Sequence, residues 1–192
     1  MTWSFSLGRL LGSELRVHVT FFLLLAWVGL AAYDSAGWAG AVENIAFVIA
    51  LFACVVAHEF GHALTARRYG IKTPDITLLP IGGLARLERM PEKPEQEIAV
   101  ALAGPAVNVA IWVILSLFGA KTQFELASAL DQTEPGFLER LALVNLFLAI
   151  FNMIPAFPMD GGRVLRALLC LRMDRVAATR AAATAGGTPT TS

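Results

Sequence analysis

Four apolar blocks run through this chain, and they restrict its fold more than any other feature. They span about Val17–Tyr33, Val42–Arg67, Ile98–Ala120 and Phe137–Ile154. A membrane-spanning helix needs ~20 residues, within a range of about 17–25, so each block is long enough. Hydrocarbon offers no partner to a free backbone N–H or C=O, which favours helices there. Only 16% of the 192 residues are charged, against about 25% in a soluble domain. The expected fold is an all-α polytopic membrane protein with about four transmembrane helices. A short β-hairpin is expected after the second, because 75–88 alternates imperfectly around a Pro80-Ile81-Gly82-Gly83 turn. Residues 1–180 are expected to form one membrane-embedded core, with 181–192 as a flexible tail after Gly186-Gly187. Arg9 and Arg16 before an apolar run resemble a signal peptide, but the length of Val17–Ala32 favours an uncleaved first helix.

Cationic residues set the expected orientation. Arg9 and Arg16 precede the first block, and the segment Asp34–Ala41 has no Lys or Arg. Arg67, Arg68, Lys72, Arg86, Arg89 and Lys93 follow the second block; Arg163, Arg166, Arg172, Arg175 and Arg180 follow the fourth. This alternation places the N-terminus in the cytoplasm of a multi-pass protein of the cell membrane. Net charge is zero and no basic tract is interleaved with aromatics, so nucleic acid is not an expected partner. Cys54 and Cys170 are too few for a disulfide framework.

Within the second block, no side chain from Ile45 to Ala57 is charged, and then His58-Glu59-Phe60-Gly61-His62 follows. A charged group at membrane depth costs roughly 2.5–3.5 kcal/mol on the insertion scale, so such clusters are kept where they are used. On a helix, positions four apart differ by about 40° and 6 Å. His58 and His62 therefore face one way and can share one metal ion. Glu59, about 100° round from His58, sits beside a metal rather than on it, which suits a general base. The His-Glu-x-x-His spacing is that of a zinc hydrolase helix. By rise along the helix, the site lies in the cytoplasmic half of the membrane.

A catalytic zinc usually has three protein ligands. His18, at the start of the first block, reads best as an interfacial residue, and Cys54 as small-residue packing one turn before His58. Asp160 is the better third ligand. It lies in Asn152-Met-Ile-Pro155-Ala-Phe-Pro158-Met-Asp160-Gly161-Gly162-Arg163. The prolines and glycines there demand irregular backbone, which near membrane depth is tolerated against protein or a watery cavity.

These motifs resemble the site-2 proteases, zinc metalloproteases that cut within the membrane. The resemblance is carried by HEFGH at 58–62, by Gly104-Pro105-Ala-Val-Asn108 and by the 152–163 run, and it covers about residues 5–180. Gly8-Arg-Leu-Leu-Gly12 with Arg16-Val-His18 is similar to the bacterial and archaeal subgroup that often carries CBS domains. The resemblance implies His58, His62 and Asp160 as ligands of one Zn2+, Glu59 as general base, and Asn152 as a group that polarises the scissile carbonyl. It leaves Asn108 between helix packing and a site role. It also implies an intramembrane endopeptidase cutting a membrane-tethered protein. A helical substrate must unwind locally to expose its carbonyls, and the 75–88 hairpin is expected to offer it a strand edge. A Pro at Thr77 or Leu79 would test that hairpin. The family usually continues past its Asp-Gly-Gly motif with further helices; this chain ends about 30 residues later. That motivates the alternative of a silent relative that binds membrane helices as a scaffold. A metal transporter is a third reading, disfavoured because the ligands cluster at one depth. The expected partners are a tethered protein substrate and the lipid bilayer, with oligomerisation left open.

Overall fold

The first two apolar blocks form one helix with a reversal inside it. This is seen in a computed structural model, which describes residues 3–79, 82–91, 93–120, 136–156, 158–174 and 177–179. Helix α1 (Val19–Arg68) has 50 residues, about 75 Å if straight and far more than a ~30 Å hydrocarbon layer. Gly37 interrupts it with φ 64° and ψ −158°, a conformation open to glycine and strained for other residues. Phe21 meets Phe52 at 4.4 Å between ring centroids. A Cβ on Gly29 would stand 2.8 Å from Ile45 Cδ1. Residues about equally far from Gly37 on either side thus touch, so the arms 19–36 and 38–68 run antiparallel.

The strands correct the all-α expectation. Strands β1 (Ser4–Leu10) and β2 (Ser13–His18) precede α1; β3 (Asp75–Leu79) and β4 (Gly82–Arg86) follow it. They form one four-stranded sheet in the order β1-β2-β3-β4. The first pair is an antiparallel hairpin turning through Leu11 (φ 48°) and Gly12 (φ 85°), the positive-φ pair that a tight hairpin requires. Strand β2 pairs in parallel with β3, from Glu14↔Asp75 to Val17↔Leu78. The expected hairpin exists as β3 and β4, with Pro80 and Ile81 of its turn outside the described residues. What the sequence did not reveal is the partner sheet, because β2 and β3 are separated by the whole of α1.

Helix α2 (Pro94–Leu117) starts on Pro94, where a missing amide costs nothing. Helix α3 (Phe137–Asn152) and helix α4 (Asp160–Cys170) follow. Among the described residues, α1 and α2 are long and apolar enough to cross a membrane. Helix α3 has 16 residues, fewer than the ~20 a perpendicular span needs, so the expected count of four separate spans is not reproduced. Its end follows from Pro155, which disfavours helical backbone at the residue before it. Segment 121–135 and tail 181–192 lie outside the described residues.

The sheet packs on α1 through Val17 and Leu78 against Phe21 and Phe52, and through Ile76 against Phe60 and Ala63. The histidine-bearing arm is therefore buttressed by β3. On its other side it meets α2 closely. A Cβ on Gly61 would lie 2.7 Å from the Ala103 carbonyl oxygen, so the two helices approach through a residue with no side chain.

Candidate metal centre

Two helices bring three donor atoms to one point. His58 and His62 project from α1, and Asp160 is the first residue of α4. The Nε2 atoms of the two imidazoles lie 3.1 Å apart. Asp160 Oδ2 lies 3.3 Å from His58 Nε2 and 3.2 Å from His62 Nε2. An ion bound tetrahedrally at about 2.0–2.1 Å spaces its ligands by about 3.3 Å. The triangle fits that ion.

Proton bookkeeping points the same way. His62 Nδ1 lies 2.7 Å from the Val100 carbonyl oxygen. A carbonyl only accepts, so Nδ1 carries a proton, and in the neutral ring Nε2 is then the nitrogen free to act as a ligand. His58 Nδ1 stands 3.0 Å from Asn108 Oδ1 and is arranged alike. Two lone pairs and a carboxylate oxygen then converge in a buried place. A divalent cation resolves that convergence, and an imidazole whose second nitrogen donates to a carbonyl or amide oxygen has the usual outer support of a zinc ligand.

The expected residues fall into two groups. His58, His62 and Asp160 assemble as expected. Glu59 and Asn152 line the same cleft, about 170 Å³ in volume, with Gly83, Leu87, Pro158 and Arg163. Asn152 Nδ2 donates to the Leu148 carbonyl of its own helix at 2.9 Å. His18 and Cys54 stay out of the centre. His18 caps the start of α1, 2.7 Å from Thr20 Oγ1, and Cys54 is buried one turn before His58.

Helix α2 contributes no ligand, yet it governs the site. Val100, Gly104 and Asn108 recur along one face at helical spacing. Val100 orients His62 and Asn108 orients His58. Gly104 lies against both rings: a Cβ there would strike His62 Nε2 and stand 2.7 Å from His58 Cε1. Sequence reasoning left Asn108 undecided between packing and site. Its signal was present in a fully buried amide (0% exposed) on a helix of apolar residues. Gly161 performs a similar service on α4. A Cβ on it would collide with the carbonyls of Met153 and Ile154, so the loop after α3 closes directly onto the start of α4.

Comparison with known proteins gives consistent results. The model of a protein family described as Peptidase family M50 matches residues 46–137 and 122–187. A zinc metalloprotease of Methanocaldococcus jannaschii is 39% identical over 190 residues, which cover 97% of this chain and 51% of that protein. Stage IV sporulation protein FB of Bacillus subtilis is 29% identical over 153 residues, 79% of this chain and 46% of that protein. This chain thus spans about half the length of the curated relatives it matches. Among solved structures, the site-2 protease from Methanocaldococcus jannaschii superposes with a TM-score of 0.67 and 35% identity, over 94% of this chain and 78% of that one.

Proposed function

The chain belongs to peptidase family M50, the site-2 protease family, and from that premise we propose that it is an intramembrane zinc endopeptidase. Its substrate is a membrane-tethered protein cut in or near the membrane-spanning segment. The observation that carries this reading is the near-equilateral triangle of His58 Nε2, His62 Nε2 and Asp160 Oδ2 with Glu59 beside it. Zinc, when bound there, would supply a Lewis acid that lowers the pKa of water to ~7 and polarises a carbonyl. Glu59 accepts a proton from the attacking water and returns it to the departing amine. His58 and His62 keep their orientation through Asn108 and Val100. Asn152, at the cleft wall, is placed to meet the scissile carbonyl once it releases Leu148.

The sheet supports an orientation. Strand β2 precedes α1 and β3 follows it, and the two are paired, so both ends of α1 lie on one side. Arg9, Arg16, Arg67, Arg68 and Lys72 belong to these ends. Their charge favours the cytoplasmic face. Helix α1 then enters the membrane, reverses at Gly37 and returns, with the metal centre in the cytoplasmic half.

A helical substrate must unwind to expose its carbonyls, and an open strand edge can hold the extended segment. Thr77 and Leu79 are poor probes of such an edge. They lie in β3, which is paired on both sides, and a proline there breaks the sheet itself. Among the described residues, the edge nearest the site is β4. Gly83 of β4 rests on Glu59: an added Cβ would stand 2.5 Å from Glu59 Cγ and 2.9 Å from its Oε1. Gly83→Ala is expected to lower cleavage by about tenfold to a hundredfold, the scale of a ~1 Å misplacement at a reacting centre. Zinc content should stay at the wild-type level, since Gly83 meets no ligand. Unchanged cleavage would show that the close fit of Gly83 against Glu59 is not needed for turnover.

The direct test uses the full chain in liposomes with a panel of single-pass proteins. Purified protein should carry one zinc per chain. A chelator should abolish cleavage and added zinc should restore it. Cleavage that persists in metal-free protein refutes the proposal.

A further inference from the structure

Helix α4 carries the third ligand, and its large apolar side chains are at most partly buried. Its buried residues are Asp160, Gly161, Gly162 and Ala167, and none has a large apolar side chain. Leu168 is 48% exposed. Its firm polar tether is Arg166. The Nε of Arg166 donates to Glu97 Oε1 at 3.0 Å and its Nη2 donates to the same oxygen. Glu97 lies in the first turn of α2 and is 2% exposed. Stranding either charge of a buried pair is strongly unfavourable, so the two side chains move together.

We infer that the Glu97–Arg166 ion pair is a positioning device for Asp160, holding α4 on α2 so that one carboxylate oxygen reaches both imidazoles. The inference rests on the metal-centre reading above. The consequence is a shared frame. Helix α2 orients His62 through Val100 and His58 through Asn108, and through Glu97 it also fixes the helix that brings the carboxylate. Asp160 and Arg166 are six positions apart on α4, about 9 Å of rise. A tilt of α4 around a broken pair is therefore felt at its first residue. Glu97 and Arg166 are positioning residues; neither lines the cleft.

Glu97 is also one turn from Val100, so its loss has a competing route to the centre through His62. A double-mutant cycle separates the two routes. Zinc dissociation constants are measured by chelator competition on the full chain in detergent. The set is the wild type, Glu97→Gln, Arg166→Lys, Asp160→Asn and each pair variant combined with Asp160→Asn. Each pair variant is expected to weaken zinc binding by about tenfold, the lower range for an outer support of a metal ligand. In the Asp160→Asn background the same changes should alter affinity by less than about twofold, within the scatter of independent sites. Equal losses in both backgrounds, or none in either, overturn the inference while leaving the metal centre standing. A wild-type chain that binds no zinc overturns the centre itself. Should Glu97→Gln fail to fold, Arg166→Lys, which keeps the charge, carries the same comparison.

Discussion

Glu59→Gln is expected to reduce cleavage by about 10²–10⁴-fold, the usual contribution of a positioned general base, and to leave zinc content unchanged. Glutamine has the size and hydrogen-bonding reach of the carboxylate but cannot take up a proton at neutral pH. Glu59 lies in the cleft and is not one of the three convergent donors. Its replacement therefore removes proton transfer without removing a ligand. The measurement pairs turnover of a tethered substrate with zinc per chain by elemental analysis. Residual turnover within a few-fold of wild type would deny Glu59 the role of base. Loss of zinc would instead make it a ligand. The joint result also answers the scaffold alternative, since a silent relative has no Glu59-dependent cleavage to lose.

Gly104→Ala should abolish zinc retention and activity together. A methyl group at position 104 occupies the space of His62 Nε2 and presses on His58 Cε1, so at least one ring must swing from the common point. The opposite sign is expected from local propensity. Alanine in a helix interior is worth about 1 kcal/mol over glycine, and Gly104 sits mid-helix with ordinary helical backbone. The variant should be a folded chain with an empty centre, seen as an undiminished thermal unfolding midpoint in chelator and a zinc stoichiometry near zero. Normal zinc content would mean that the rings have slack which the geometry does not show. An empty centre in a folded variant would mean that this glycine serves the metal at some expense to the helix.

The three convergent donors were legible in the sequence because each carries a local signature. His58, Glu59 and His62 declare themselves through spacing on one helix and through their cost in an apolar block. Asp160 is betrayed by the prolines and glycines around it. The hairpin of β3 and β4 could be read from alternation around its turn. The N-terminal strands were missed for a physical reason. Strand β2 has its partner beyond α1, and Ser13–His18 alone is too short to bury a face. Glycines at 8 and 12 further disguise the hairpin, although they are what allow its bulge and turn. Val17–Tyr33 and Val42–Arg67 were read as two helices joined by a loop at Asp34–Ala41. That the connection is nearly all helical, with the reversal concentrated at Gly37, depends on contacts such as Phe21–Phe52 that no local pattern encodes. The ordering role of α2 was hidden because it is exerted through a backbone carbonyl, an absent side chain and one amide. Only the amide is visible as a residue type out of place.

The pairing of β2 with β3 also imposes a timetable on biosynthesis. The first hairpin leaves the ribosome well before the strand it must lie beside, and the whole of the helical return is made in between. The two histidines precede the carboxylate that completes their set by nearly a hundred residues. The three donors therefore cannot converge in a nascent chain until α4 has been translated and docked.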